Sequence, residues 1–218
     1  MVVSGFCWIG VYFLLVKRGF HDKSYGMPLA PMSANIAWET VFSFVYPVGV
    51  SSPWKIIIAI WMVLDAFVVA TFFLYGYKYF EKSYRITRLQ FYVLGVFALL
   101  SAYVFYVSVP PFLLGFTFFK GSMFEVASFL AYAVNNLAAS TLFVWMFRQR
   151  SRGIEGQSFY IGLLKWIGTL IVAVWYLLEN NYPFAWIIIA TIETFDILYL
   201  KLIYDALTRI GINPWLRL

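Results

Sequence analysis

The chain has 218 residues, 63% hydrophobic and only 12% charged, with a formal net charge of +6. Soluble domains hold about 45–50% apolar and about 25% charged residues, so this composition excludes an ordinary soluble fold and assigns the chain to the bilayer. One cysteine, Cys7, excludes an internal disulfide framework or a cysteine-based metal cluster, and one histidine, His21 in a polar loop, removes the usual catalytic triads and histidine-rich zinc or haem sites.

Apolar runs of about 20 residues predict membrane helices, and seven are found, at 2–17, 29–50, 54–77, 89–110, 124–147, 158–179 and 184–206. The first is short, but its positive charges follow the apolar stretch instead of preceding it, which reads as a span and not as a secretory signal. The second carries Asn35 and Glu39, spaced i, i+4 and so on one face, and the third carries Asp65 within IWMVLDAF. The fifth carries Asn135, Asn136 and Ser140 within AVNNLAAS. The sixth holds Lys165 towards its start, and the seventh holds Glu193, Asp196 and Tyr199 within TIETFDILY, then Lys201, which can pair with Asp205 at i+4 or snorkel. The expected architecture is all-α: one domain over 1–218, an integral membrane bundle of seven transmembrane helices.

Most of the 16 lysines and arginines fall on one side of these spans. Lys17, Arg18 and Lys23 follow the first span, Lys78, Lys82, Arg85 and Arg88 the third, and Arg148, Arg150 and Arg152 the fifth, while Arg209 and Arg217 lie in the tail. The opposite side has Lys55 and Lys120. That asymmetry predicts an N-terminus outside and a C-terminus in the cytosol, and it accounts for the positive charge without a nucleic-acid partner.

Charges at membrane depth cost at least ~2.5 kcal/mol on insertion scales, so the polar residues inside spans are where function is expected. At 1.5 Å per residue, Glu39, Asp65 and Asp196 each come roughly midway through a hydrocarbon core of about 30 Å. The sequence places no lysine or arginine at that level. Burial disfavours the charged form of a carboxyl, and the expectation is that one or more of Glu39, Asp65, Glu193 and Asp196 is protonated at neutral pH, ready to act as a Brønsted acid. Asn35 is a candidate orienter of Glu39, and Asn135 and Asn136 are candidate pocket residues. Each also has a structural reading, as hydrogen-bonding glue between helices. Of the aromatic residues, Trp38, Trp61 and Tyr199 are expected to line a pocket, and Trp54, Trp186 and Trp215 to sit in interfacial belts. No glycine-rich nucleotide loop appears, nor a DDxxD pair that would hold magnesium and diphosphate, so neither metal nor other cofactor is expected and proton chemistry remains.

The runs YGMPLAPMSANIAWE, IWMVLDAF, RQRSRGIEGQSFYIGLLKWIGT and IETFDILYLKLIYD, in this order over nearly the whole chain, resemble the small integral-membrane terpene cyclases of fungal meroterpenoid and indole-diterpene biosynthesis and their bacterial relatives. The resemblance implies a metal-independent cyclase of a polyprenyl substrate, started by protonating an epoxide or alkene. It makes Glu39 of the NIAWE run and Asp196 of the last span the catalytic acids; apart from the resemblance, Asn35, Glu193 and Asp65 are expected to tune or orient them. The implied location is the endoplasmic reticulum in a fungus or the inner membrane in a bacterium. The SRGIEGQS loop, 151–158, reads as a basic loop with a helix start at Gln157 and Ser158, or as a lid over a polar head group. Two other readings compete: a retinal protein with its Schiff base on Lys201, and a proton-coupled carrier or lipid-binding membrane protein using the same acids.

Overall fold

A computed structural model describes residues 2–48, 52–150, 153–179 and 183–218. Nine α-helices carry most of these residues: α1 (Val2–His21), α2 (Leu29–Phe44), α3 (Ser52–Tyr75), α4 (Tyr77–Tyr84), α5 (Arg88–Leu114), α6 (Met123–Leu130), α7 (Leu137–Gln149), α8 (Phe159–Glu179) and α9 (Pro183–Arg209). A π-helical turn, Ala131–Asn136, joins α6 to α7, so that the fifth predicted span is one rod with a bulge in its middle. Arg152 of the charge count lies outside the described residues.

Five stretches among the described residues are long and apolar enough to cross a membrane: Val2–His21, Trp54–Tyr75, Arg88–Leu114, Met123–Gln149 and Phe159–Leu178. The remaining two of the seven expected spans are α2 and α9. With 16 residues, α2 is about 24 Å long, short of a hydrocarbon core of about 30 Å. It ends at Phe44 instead of 50 because Pro47 disfavours helical geometry at the residue before it. α9 has the length but carries Glu193, Asp196, Lys201, Asp205 and Arg209. α5 runs beyond its predicted end, through Pro110 and Pro111. A proline removes the N–H that would bond the carbonyl four residues back, and the Tyr46 hydroxyl supplies a donor to the carbonyl of Val107 at 2.8 Å. The short amphipathic α4 was not foreseen; α5 after it opens with a capping box, Thr87 with Gln90.

The long helices pack as a ring: α1 against α3 and α8, α3 against α2, α2 against α5, α7 against α9, and α9 back against α8. α2 also touches the π-turn and α7, so it is surrounded by α3, α5, α7 and the π-turn. From Pro31 to Ser43 none of its residues is exposed. A helix shielded from lipid on all sides can be short and can carry polar groups.

The basic loops meet at one end of the bundle. Asp22 pairs with Arg18 and, at 2.9 Å, with Arg217 near the C-terminus, and accepts the Gly156 N–H at 2.9 Å. Arg150 donates to the carbonyl of Tyr25 at 2.7 Å and lies over its ring, and Gln157 donates to the carbonyl of Gly26. Gly156 takes φ +72°, and a Cβ there would come within 2.9 Å of the Tyr25 carbonyl oxygen, so the two strands of this clasp touch backbone to backbone. The described part of the SRGIEGQS loop is therefore a structural clasp. Burial pushes the Asp22 carboxyl up, but hydrogen bonds from Arg18, His21 and the Gly156 N–H, with the Arg18 charge, outweigh it and hold it below the usual carboxylate range.

Candidate active site

A cavity of about 130 Å³ lies in the half of the bundle away from the basic end. Its walls come from α1 (Ser4, Trp8, Tyr12), α2 (Asn35, Trp38, Glu39) with Val48 after it, the first half of α3 (Trp54, Ile58, Trp61), α6 with the π-turn (Phe124 to Asn136) and Val172 of α8. The lining is mainly apolar and rich in indole rings. Two of these rings are fixed through their N–H groups. Trp38 Nε1 donates to the carbonyl of Ala127 at 2.9 Å, and Trp61 Nε1 to that of Gly5 at 3.2 Å. With the N–H committed to the wall, the ring face is what remains for the interior.

Glu39 enters the cavity because Met32, Asn35, Glu39 and Phe42 recur at helical spacing along one buried face of α2. The Tyr12 hydroxyl of α1 lies beside the Glu39 carboxyl and accepts from Asn35 Nδ2 at 3.0 Å. Asn35 thus reaches Glu39 through Tyr12. The second carboxyl oxygen, Glu39 Oε2, is buried with no hydrogen-bond partner. Asp65 of α3 is fully buried, and both its oxygens lack partners. It stands behind the cavity wall, not in it.

The acids of α9 form a separate group. Asp196 pairs with Lys165 of α8, both side chains being 1% exposed, and Lys165 also donates to Ser140 Oγ at 2.7 Å. This corrects the expectation that no cation lies at the level of the acids: a lysine stem spans about one helical turn, so Lys165 reaches deeper than its Cα. Glu193 Oε2 accepts from Trp166 Nε1 at 2.8 Å. No residue of α9 lines the cavity, since the π-turn and α7 stand between. Depth along a helix fixes the level of a side chain but not which neighbours it faces, and equal depth did not bring Glu39 and Asp196 into one chamber.

Other expected residues sort in the same way. Trp38, Trp61, Asn135 and Asn136 line the cavity. Asn135 accepts from the Tyr106 hydroxyl. Tyr199 does not line it; one turn nearer the basic end, its hydroxyl donates to Gln157. Trp54, expected in a belt, is a wall residue, while Trp186 and Trp215 are exposed. Lys201 bonds Asp205 at 2.7 Å on the surface, which leaves it no interior place for a Schiff base. Tyr12, Trp8, Tyr132 and the pairing of Lys165 were not singled out from the sequence. Among 16 tyrosines and nine tryptophans nothing local marks which face inward.

A helical membrane bundle enclosing an indole-lined cavity with an unmatched carboxyl oxygen is the class that fold and site define. The family model of the Pyr4-like transmembrane terpene cyclases matches residues 1–207, and the chain belongs to that family. The Pyr4-family terpene cyclase mfmH of Annulohypoxylon moriforme is 26% identical over 194 residues, 88% of this chain and 74% of that protein. Terpene cyclase ascF of Acremonium egyptiacum is 28% identical over 189 residues, 84% of this chain and 66% of that protein. Terpene cyclase macJ of Penicillium terrestre is 41% identical over 63 residues, which span 29% of this chain and 24% of that protein. No solved structure matches the chain.

Proposed function

We propose that this chain is a membrane-embedded terpene cyclase that folds a polyprenyl substrate into the indole-lined cavity and starts ring closure with a proton from Glu39. The observation that carries the reading is Glu39 Oε2, a buried carboxyl oxygen without a partner, facing an apolar chamber. Among the described residues no ion pair engages Glu39, and in this reading its carboxyl carries the proton at rest. The proton passes from Glu39 to the terminal epoxide oxygen or alkene carbon of the substrate. As it leaves, the Tyr12 hydroxyl, held by Asn35, stabilises the carboxylate left behind.

The cation then moves along the chain as rings close. The faces of Trp38 and Trp61, with Trp8 beside them, lie where it develops, and a desolvated cation over such a face gains about 2 kcal/mol or more. Asp196 lies on the far side of the wall, where it pairs with Lys165. The chain's N-terminus faces away from the cytosol in this reading, so the cavity lies in the non-cytosolic half.

The test is a product assay. Membranes containing the protein are given farnesyl and geranylgeranyl substrates, each with and without a terminal epoxide, and extracts are analysed by mass spectrometry. A cyclised isomer of unchanged mass is expected from at least one of the four, and which one forms decides between epoxide and alkene initiation. Unaltered substrate in every case, from folded protein, would favour a carrier instead.

A further inference from the structure

A cascade that begins with a proton gained must end with one lost, and the cavity holds a second unmatched group. Among the described residues, only two cavity-lining side-chain atoms are buried without a hydrogen-bond partner: Glu39 Oε2 and the Tyr132 hydroxyl. Tyr132 is 6% exposed and sits on the π-helical turn, whose extra residue re-aims the side chains that follow it. Its ring packs with Ile189 and Ile192 on the stretch of α9 that carries Glu193. Glu193 Oε1 is itself without a partner.

We propose that Tyr132 is the catalytic residue that ends the cascade, taking a proton from the final carbocation and passing its own to Glu193. The inference rests on the cyclase reading above. In the step, a C–H bond next to the cationic carbon breaks and its electron pair forms the product double bond. The proton goes to the Tyr132 oxygen, and the phenolic proton goes to the Glu193 carboxylate. The atoms balance: one proton enters from Glu39, one leaves to Glu193, and the product is an isomer of the substrate.

Glu193 Oε2 accepts the Trp166 N–H at 2.8 Å, which fixes the carboxyl and leaves Oε1 as the atom that can take the proton.

The experiment is product analysis of Tyr132→Phe and Glu193→Gln beside the native protein and Glu39→Gln, using a farnesylated phenol with and without a terminal epoxide. The inference expects Tyr132→Phe to consume substrate within about tenfold of the native rate. Its normal product should give way, by tenfold or more, to isomers with the double bond elsewhere or to a hydrated product. Glu193→Gln should move the product pattern the same way, and it carries the test if Tyr132→Phe does not fold. An unchanged product pattern in either folded variant overturns the inference, as does an equal loss of all products. Glu39→Gln separates the two claims: native activity there sinks the cyclase mechanism itself, whereas Tyr132 bears only on how the reaction ends.

Discussion

Lys165 of α8 and Asp196 of α9 form an ion pair with both side chains enclosed, and Ser140 of α7 accepts a second hydrogen bond from the lysine at 2.7 Å. Three helices are joined at this point, two of them long and apolar enough to span a membrane. Lipid tails give no hydrophobic drive for helices to associate, so a polar joint of this kind fixes the register of α9 against its neighbours.

Breaking the joint from one side leaves a buried charge without its partner. Lys165→Met and Asp196→Leu should each destabilise the purified protein by about 3–5 kcal/mol. The double variant, with no charge left to bury, should be less destabilised than either single one. Thermal unfolding in detergent measures this. Single variants as stable as the native protein would show that the pair carries no weight in the fold.

The Tyr12 hydroxyl lies beside Glu39, where Asn35 donates to it at 3.0 Å and the proposed mechanism has it stabilise the carboxylate. Tyr12→Phe removes a hydrogen bond to the carboxylate that donation creates, a loss of about 1.5–3 kcal/mol. Turnover should fall by roughly 10- to 100-fold with little change in KM. Asn35→Leu should give a smaller effect in the same direction. A Tyr12→Phe enzyme with native turnover would mean that Glu39 needs no orienting.

Much of this arrangement was legible in the sequence. The periodicity of α2 put Asn35 and Glu39 on one face, and the loop charges marked the end where Asp22, Arg150 and Arg217 come together. What the sequence could not reveal depends on neighbours in space. Lys165 looked too shallow to meet Asp196 because its reach is set by a flexible stem, not by its position in the chain. Glu39 and Asp196 share a depth but face different helices. Tyr12 and Tyr132 have no local mark that separates them from the other tyrosines, although the AVNN run beside Tyr132 does interrupt an apolar span, and the π-turn falls there. The end of α2 was overrun because hydrophobicity continues past Pro47 while helical geometry does not.

Asp22 offers a test at the basic end. Its carboxyl is held below the usual range, so it stabilises the folded state fully above about pH 4, and that contribution is lost as pH falls through the lowered value. Asp22→Asn should cost about 2–3 kcal/mol at neutral pH, where Arg18 and Arg217 lose their charged acceptor. It should also flatten the acid side of the stability profile. Unfolding midpoints measured from pH 7 down to pH 3 check both statements, and parallel curves for the two proteins would contradict them.

The central claim is that the Glu39 proton starts the reaction, and its most direct measurement is substrate consumption by Glu39→Gln. Glutamine keeps the shape and can still accept from Tyr12, but it has no acidic proton to give. With the variant shown to be folded by its unfolding midpoint, consumption of the accepted substrate should fall by at least 100-fold, the lower end of what a positioned general acid contributes. Consumption within threefold of the native protein would contradict the account and require the initiating proton to come from elsewhere.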